Sequence, residues 1–277
     1  MRGPGANLAG ASLEGVILIG ATISSTNFEG TSLVGALLDE VDPAHPRIRN
    51  STGLRNFRDL GVGLAHVLSD HAAWTQSGGQ SGQRADLTGV DLSGLDLRGV
   101  DLGAAVLRGA VLRRTNLAGA LLAMADLSLV DAKEANFTNA DLRGAKLERV
   151  TLSNAVLMEA CGKPLLVAGQ HRCPTDCTSA RFDHACLLRA DFSMAILVGM
   201  DLTNADLRRT NMRGASLYGA SLSGVDLRVA VLDGADLTGA TGIEAALVAL
   251  KEHSGLRIGG SPFGNPPEPA AADRDAG

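Results

Sequence analysis

Residues 85–102 constrain the fold more than any other stretch. They read Ala85-Asp86-Leu87-Thr88-Gly89, Val90-Asp91-Leu92-Ser93-Gly94, Leu95-Asp96-Leu97-Arg98-Gly99, Val100-Asp101-Leu102. One five-residue pattern repeats: a small apolar residue, a polar one, a large apolar one, then two residues that are polar or Gly. Apolar positions two apart lie on the same side of an extended backbone, and the odd fifth residue has to be absorbed by a bend before the next unit starts. Gly at the fifth position, as in Gly89, Gly94, Gly99 and Gly109, suits such a bend. A chain that repeats a short strand and a bend winds into a solenoid, each side stacking on the equivalent side of the next turn.

Seven such units precede residue 41, fifteen run from Ala85 to Glu159 and twelve from Ala180 to Gly239. Of their 34 central residues 27 are Leu and four are Phe (Phe28, Phe137, Phe182, Phe192), so neighbouring coils stack like on like. Each buried Leu supplies about 1.5–3 kcal/mol. Ala132 is the one small centre, and the pattern predicts either a local void there or inward movement of its neighbours. On these units the chain resembles the pentapeptide-repeat proteins. The resemblance implies an all-β fold, a right-handed quadrilateral β-helix with four pentapeptides per coil, here with a helical insertion and a C-terminal helix.

Aromatic content of 3% alongside 34 Gly is low for a globular enzyme and natural for a narrow solenoid filled by Ala and Leu. The longest apolar run near the start, Val16-Ile17-Leu18-Ile19, is too short for a membrane span and has no basic lead-in, which predicts a soluble, cytoplasmic protein. Net charge is −5, but the solenoid body is nearly balanced: residues 85–159 carry eight basic and ten acidic groups, and 180–242 carry six and seven. Its Asp ladder is interleaved with Arg98, Arg113, Arg143, Arg208 and Arg228. No basic patch points to nucleic acid either.

Along the chain, residues 1–40 read as N-terminal coils and 41–84 as an insertion. Within the insertion Leu54, Phe57, Leu60, Leu64, Val67, Leu68 and Trp74 recur at near-helical spacing, which predicts a helix over roughly 55–74, followed by a flexible tether at Ser77–Gln83. Two readings fit this arm: a helix folded over the open end of the coils, or an exposed partner-binding element with Phe57, Arg58 and Trp74 as contacts. His66 and Asp70, four apart, share a face and read as solvated polar residues. Residues 85–159 form the main solenoid. Residues 160–179 lose the pattern, their would-be centres being Gly162, Val167, Arg172 and Cys177, and form either one degraded coil or a loop thrown out between coils, with Arg172 as a partner contact. Residues 180–242 resume the solenoid.

All four cysteines, Cys161, Cys173, Cys177 and Cys186, fall within 26 residues, together with His171 and His184. That set has the donors for a zinc site. Against it, Cys also serves as a small buried hydrophobe, and no other cofactor is indicated. Residues 243–258 read as a helix and short extended tail, and 259–277 as a disordered Pro/Ala/Asp tail. This ending resembles that of the quinolone-resistance branch of the family, which implies a homodimer joined end to end through Ile243, Ala246, Leu247, Leu250, Leu256 and Ile258. The bland alternative is a cap on the last coil.

For catalysis the sequence offers no nucleophile elbow, phosphate loop, metalloprotease helix or dinucleotide fingerprint. A binding protein that acts by surface shape is expected, not an enzyme. The branch resemblance implies a DNA-mimicking binder of DNA gyrase or topoisomerase IV that protects against poisons, a route to antibiotic resistance. The balanced charge disagrees with DNA mimicry. The alternative is a general scaffold or adaptor with an unrelated protein partner.

Overall fold

The structure, a computed structural model, describes residues 6–13, 16, 26–33, 36, 55–56, 63–167 and 171–243. How one unit satisfies its five N–H groups explains the coil. In residues 125–129, Ala125 N–H closes a turn onto the Leu122 carbonyl (3.0 Å). Asp126 N–H reaches back to Ala105 (2.9 Å), while Leu127 and Leu129 N–H reach forward to Lys146 (2.7 Å) and Glu148 (2.9 Å). That leaves one donor, the N–H of Ser128, which the Asp126 carboxylate accepts at 3.0 Å. The same side-chain cap recurs at Asp86, Asp91, Asp101, Asp176, Asp191, Asp201 and Asp236. The recurrent Asp is thus an Asx-turn acceptor for the N–H that the stacked backbones cannot pair.

Parallel bridges join residues 20 apart, Asp86 to Val106, Asp91 to Val111, Asp96 to Asn116 and Asp101 to Leu121, four to a turn. The result is a β-helix-like solenoid with four faces and a pentapeptide on each. Its Leu, Ala and Phe side chains form one buried cluster from Ala85 to Ile243, while Phe28, Leu33 and Ala36 are buried outside that cluster. Where Thr stands at the first position of a unit, its hydroxyl donates to a turn carbonyl of the coil before, as Thr115 does to Leu92 (2.9 Å) and Thr210 to Leu187 (2.8 Å).

Glycine proves dispensable at the bend. Fifteen described fifth-position residues other than Gly, Arg114, Met124, Leu129 and Glu134 among them, adopt φ of 56–62°. Each pays about 1 kcal/mol for this relative to Gly, offset by the turn bond and the inter-coil ladder. Val229 is an exception with a steric cause. A β-branched residue resists positive φ, and there the chain makes a short 3-10 turn, Leu227–Val229, with Arg209 N–H bonding the Val229 carbonyl at 2.7 Å.

Centres compensate one another in volume. Ala132 is fully buried, and the next centre in its coil is the large Phe137. Gly162 takes a centre position that would otherwise carry Leu, and a Cβ built there lies 2.5 Å from two ring carbons of Phe192 on the next coil. Phe192 therefore fills the space that Gly162 leaves, and its ring meets Phe182 edge-on at 6.3 Å between centroids.

Residues 160–179 turn out to be neither of the two expected alternatives but half of each. Lys146 pairs with Asp176, Thr151 with Arg181, Val156 with Cys186 and Cys161 with Asp191, a separation of 30 instead of 20. The slots centred on Gly162 and Cys177 stay in the stack. The two between them leave it as an antiparallel hairpin.

The insertion re-enters the stack before its helix. Strand β1 (Arg55–Asn56) pairs in parallel with β2 (Val90–Asp91), so the helix cannot begin at 55 as its spacing predicted. Helix α1 spans Leu64–Gln76 and starts from Gly63, whose backbone is extended. Its Leu64, Val67 and Leu68 pack on the solenoid core, which favours the docked cover over a free arm. His71 is fully buried, its Nδ1 accepts the Ala85 N–H at 3.0 Å, and its ring stacks on Trp74 at 5.6 Å. Thr75 Oγ1 donates to Asp101 Oδ2 at 2.9 Å. The expected tether is hydrogen-bonded back onto the helix: Gly79 N–H meets the Trp74 carbonyl (2.8 Å) and Gln83 N–H the Asp70 carbonyl (3.2 Å). Gly82 lies so close that a Cβ would sit 2.1 Å from the Asp70 carbonyl oxygen.

Two predictions follow from this packing. Gly162→Ala is expected to cost about 1–3 kcal/mol through overpacking, and adding Phe192→Leu should recover part of it, so that a double-mutant cycle by denaturant unfolding shows coupling. Burial holds the His71 imidazole below its ordinary pKa, against the opposing pull of Asp101 and of the Gly103 carbonyl, with Arg84 adding to the lowering. Protonation would turn Nδ1 from acceptor into donor facing another donor. Docking of α1 is therefore fully present above the free-imidazole pKa of about 6.5 and weakens as pH falls below it. Fluorescence of Trp74, the chain's one Trp, should report a denaturation midpoint that drops between about pH 7 and 5, with His71→Gln flat over that range.

Candidate functional site

On the solenoid faces the repeated Asp carboxylates are occupied. Besides capping turns, they pair with Arg two residues on: Asp96 with Arg98, Asp141 with Arg143 and Asp206 with Arg208, each closing to 2.7 Å, and Asp226 with Arg228 at 2.8 Å. Other pairs run between coils, Arg113 to Asp131 (2.6 Å), Arg114 to Glu134 (2.9 Å), Arg189 to Glu159 (3.1 Å) and Arg213 to Asp233 (3.2 Å). Hydrogen bonds from the Arg side chains hold Asp96, Asp206, Asp226 and Glu134 below the usual carboxylate range. At Asp141 burial works the other way, and the bonds from Arg143 with the charges of Arg143 and Lys163 outweigh it. Among the described residues these pairs place an Arg charge beside part of the Asp ladder.

The exception lies where the hairpin leaves the stack. Strands β3 (Leu165–Val167) and β4 (His171–Cys173) pair antiparallel, Leu165 opposite Cys173 and Val167 opposite His171. A two-stranded hairpin is marginal by itself, and this one is seated on a corner made for it. Gly144 has φ +66°, and a Cβ there would lie 2.7 Å from Met124 Sδ, 3.2 Å from Leu165 Cβ and 3.3 Å from the Cys173 carbonyl oxygen. Gly144 N–H also donates to Thr175 Oγ1 (3.0 Å) at the hairpin's return. Of the large apolar side chains exposed among the described residues, Leu166 (66%), Val167 and Met124 belong to this corner, and Leu121 (47%) precedes Met124 in its unit. Met194 shares the same fifth-position column and lies over Gly214.

The expected site residues are scattered by this geometry. Arg172 is exposed on β4. Trp74 is half-buried against His71 and Gly79, not presented to a partner. Phe57 and Arg58 lie outside the described residues, as do Ala246, Leu247, Leu250, Leu256, Ile258 and the whole expected C-terminal helix and tail. Ile243 is 6% exposed and belongs to the chain's own core cluster. The zinc reading does not fit the described residues, where no three His, Cys, Asp or Glu side chains gather as a metal site. Cys177 points into the core, where burial pushes its thiol up. Cys161 pairs in the stack with Asp141 and Asp191, Cys186 with Val156 and Asp206, one face away. Cys173 and His171 are on β4, His184 is at a bend, and all four thiols are free. The seating of the hairpin on Gly144 was not anticipated. The sequence carries no distinct signal for it, since Met194 stands over Gly214 in the same column without a hairpin.

No helix among the described residues is long and apolar enough to cross a membrane. A search of curated proteins returned no match. Among solved structures, the chain is similar to a trypsin-treated form of QnrB1, a plasmid-mediated fluoroquinolone resistance protein, at 14% identity, with 92% of each chain covered and a TM-score of 0.43. It is similar also to HetL, a pentapeptide repeat protein of heterocyst differentiation regulation in the cyanobacterium Nostoc, at 24% identity, covering 70% of this chain and 96% of that one with a TM-score of 0.23. A third, Rfr23 of the cyanobacterium Cyanothece, is 20% identical over 61% of this chain and 86% of its own, TM-score 0.22. The family model of pentapeptide repeats matches in eight copies, at residues 5–39, 83–103, 96–132, 135–161, 175–214, 185–224, 210–241 and 220–248. With well over half of its length matched, and with a stack of four pentapeptides per turn, this chain belongs to the pentapeptide-repeat family.

Proposed function

We propose that the chain is a non-enzymatic binding protein that presents a rigid, right-handed, four-sided solenoid to a protein partner. The observation that carries this reading is the fate of its polar side chains. Each repeated Asp is committed to a turn N–H or an Arg, and those whose acidity is perturbed are shifted downward. A general acid at neutral pH requires the opposite shift. At the hairpin corner the exposed side chains are apolar and cationic, which is recognition chemistry.

Within this class the partner to test first is DNA gyrase or topoisomerase IV in the cytoplasm, with protection against topoisomerase poisons as the consequence and a homodimer formed through residues 243–258. The support for it is the likeness of the chain's ending to the quinolone-resistance branch. The Asp–Arg pairing weighs against an acidic stripe that mimics DNA, so a gyrase contact would depend on rod shape and projecting elements. The second reading, an adaptor for an unrelated protein, is favoured by the seated hairpin, which gives the rod a distinct docking feature.

Gyrase supercoiling and quinolone-induced DNA cleavage, titrated with the purified protein, separate the two. A submicromolar effect on either, lost on removal of residues 243–277, is the expected result for the topoisomerase reading. Folded protein without effect at tens of micromolar rules that reading out and leaves the adaptor.

A further inference from the structure

The hairpin corner differs from the rest of the rod in both charge and exposure. Between Ala160 and Thr175 the chain carries Lys163, His171 and Arg172 and no acidic residue. Lys163, His171 and Arg172 are all exposed. Nine solenoid Arg residues, Arg98, Arg113 and Arg143 among them, pair with a carboxylate two residues or one coil away, whereas Arg172 and Lys163 form no ion pair among the described residues. Lys163 favours ionisation of Asp141, but that carboxylate is already held by both Arg143 nitrogens, Nε at 2.8 Å and Nη2 at 2.7 Å. Beside these cations stand the exposed Leu166 and Val167, with Met124 under the hairpin base and Leu121 earlier in Met124's own unit.

Exposed apolar side chains in a group, rimmed by charge of one sign, mark a protein contact. Water solvates Leu166 at a cost that a partner's apolar side chain would remove, about 25 cal/mol for each Å² covered. The two cations choose the partner. A basic surface approached to this corner would meet like charge, and a neutral one would leave Lys163 and Arg172 partly desolvated and unpaired. Because Gly144 seats the base of the hairpin at Leu165 and Cys173, the apolar and cationic groups project from an anchored, paired two-stranded element. Little ordering cost then falls on binding.

We propose that the corner formed by Leu166, Val167, Lys163 and Arg172, with Met124 and Leu121, docks an acidic protein segment that inserts one or two large apolar side chains. This rests on the reading of the chain as a protein-binding rod and adds the chemistry of its partner. The segment's carboxylates meet Arg172 and Lys163, and its apolar anchor covers Leu166 and the Met124 edge. Arg172, with a planar fork that can hold a carboxylate by two bonds, supplies more of the selectivity than Lys163.

The test is selection from a phage-displayed library of random twelve-residue peptides against the full chain, followed by affinity measurement with the selected peptides synthesised and labelled. Sequences rich in Asp and Glu with one or two Leu, Phe or Trp are expected, weakened at least about tenfold by Leu166→Ser or Arg172→Glu and by raised salt. Both residues project from the hairpin outside the stack, so the thermal melt of each variant should match that of the parent. Acidic peptides that bind all variants equally would place the contact elsewhere and overturn this proposal, while leaving the binding rod standing. Enrichment of basic or neutral peptides would also overturn it, as would a single-stranded oligonucleotide bound through Arg172, or self-association of the chain abolished by Leu166→Ser. If no peptide is enriched at all, the proposal fails, and the binding-rod reading stands or falls on the gyrase titration.

Discussion

The structure depends on one small closed ring, the turn bond from the first N–H of each unit back to the inward-facing side chain's carbonyl three residues earlier. It bends the chain every five residues, and four bends bring the backbone over itself 20 residues later, in register for parallel pairing. Every other feature serves or tolerates that bend. The side-chain carboxylate of the second residue accepts the N–H that the bend leaves over, buried Thr hydroxyls add a second donor to turn carbonyls, and the left-handed fifth residue accepts strain. Since each coil contacts only its neighbours, stability accumulates coil by coil and a local fault stays local. The 3-10 turn at Val229 shows this, since the ladder resumes with Asn211 paired to Val231.

The same constraint bears on function. A surface built from Asp acceptors and Arg partners looks charged in the sequence, yet most of that charge is spent on the fold. Recognition therefore falls to what does not belong to the repeat. Two such elements are described, and they behave differently. Helix α1 with its returning strap covers the start of the main solenoid through His71, Leu64, Val67 and Leu68, and its Trp74 ring lies half-buried against His71. The β3–β4 hairpin leaves the stack and keeps its apolar and basic side chains outward.

Much of this was readable in advance, because the repeat encodes its own geometry. The five-residue bend, the Leu columns and the polar Asp position all follow from a pattern that one unit states and 33 others restate, while four faces to a coil came from the family resemblance. Where the repeat stops, the spacing signal fails for identifiable reasons. The helical periodicity around 55–74 is real, but Arg55–Asn56 finds a free parallel partner in Val90–Asp91, and that pairing takes precedence over the start of a helix. The Gly-rich Ser77–Gln83 reads as a tether in composition, whereas the close approach of Gly82 to Asp70 makes the same Gly a packing residue. The cysteines are near in sequence and apart in space, since a four-sided coil sends residues five apart to different faces.

The sequence by itself therefore determined the bend, its period and its core columns, because those are local properties repeated at every unit. Only the tertiary structure decided which half of residues 160–179 stays in the stack, that Phe192 occupies the space of Gly162, that His71 is a buried clasp and that Gly144 seats the hairpin. Each of these joins residues 14 to 30 apart that no local pattern relates, and each is settled by which side chain fills which volume once the coils lie one upon another.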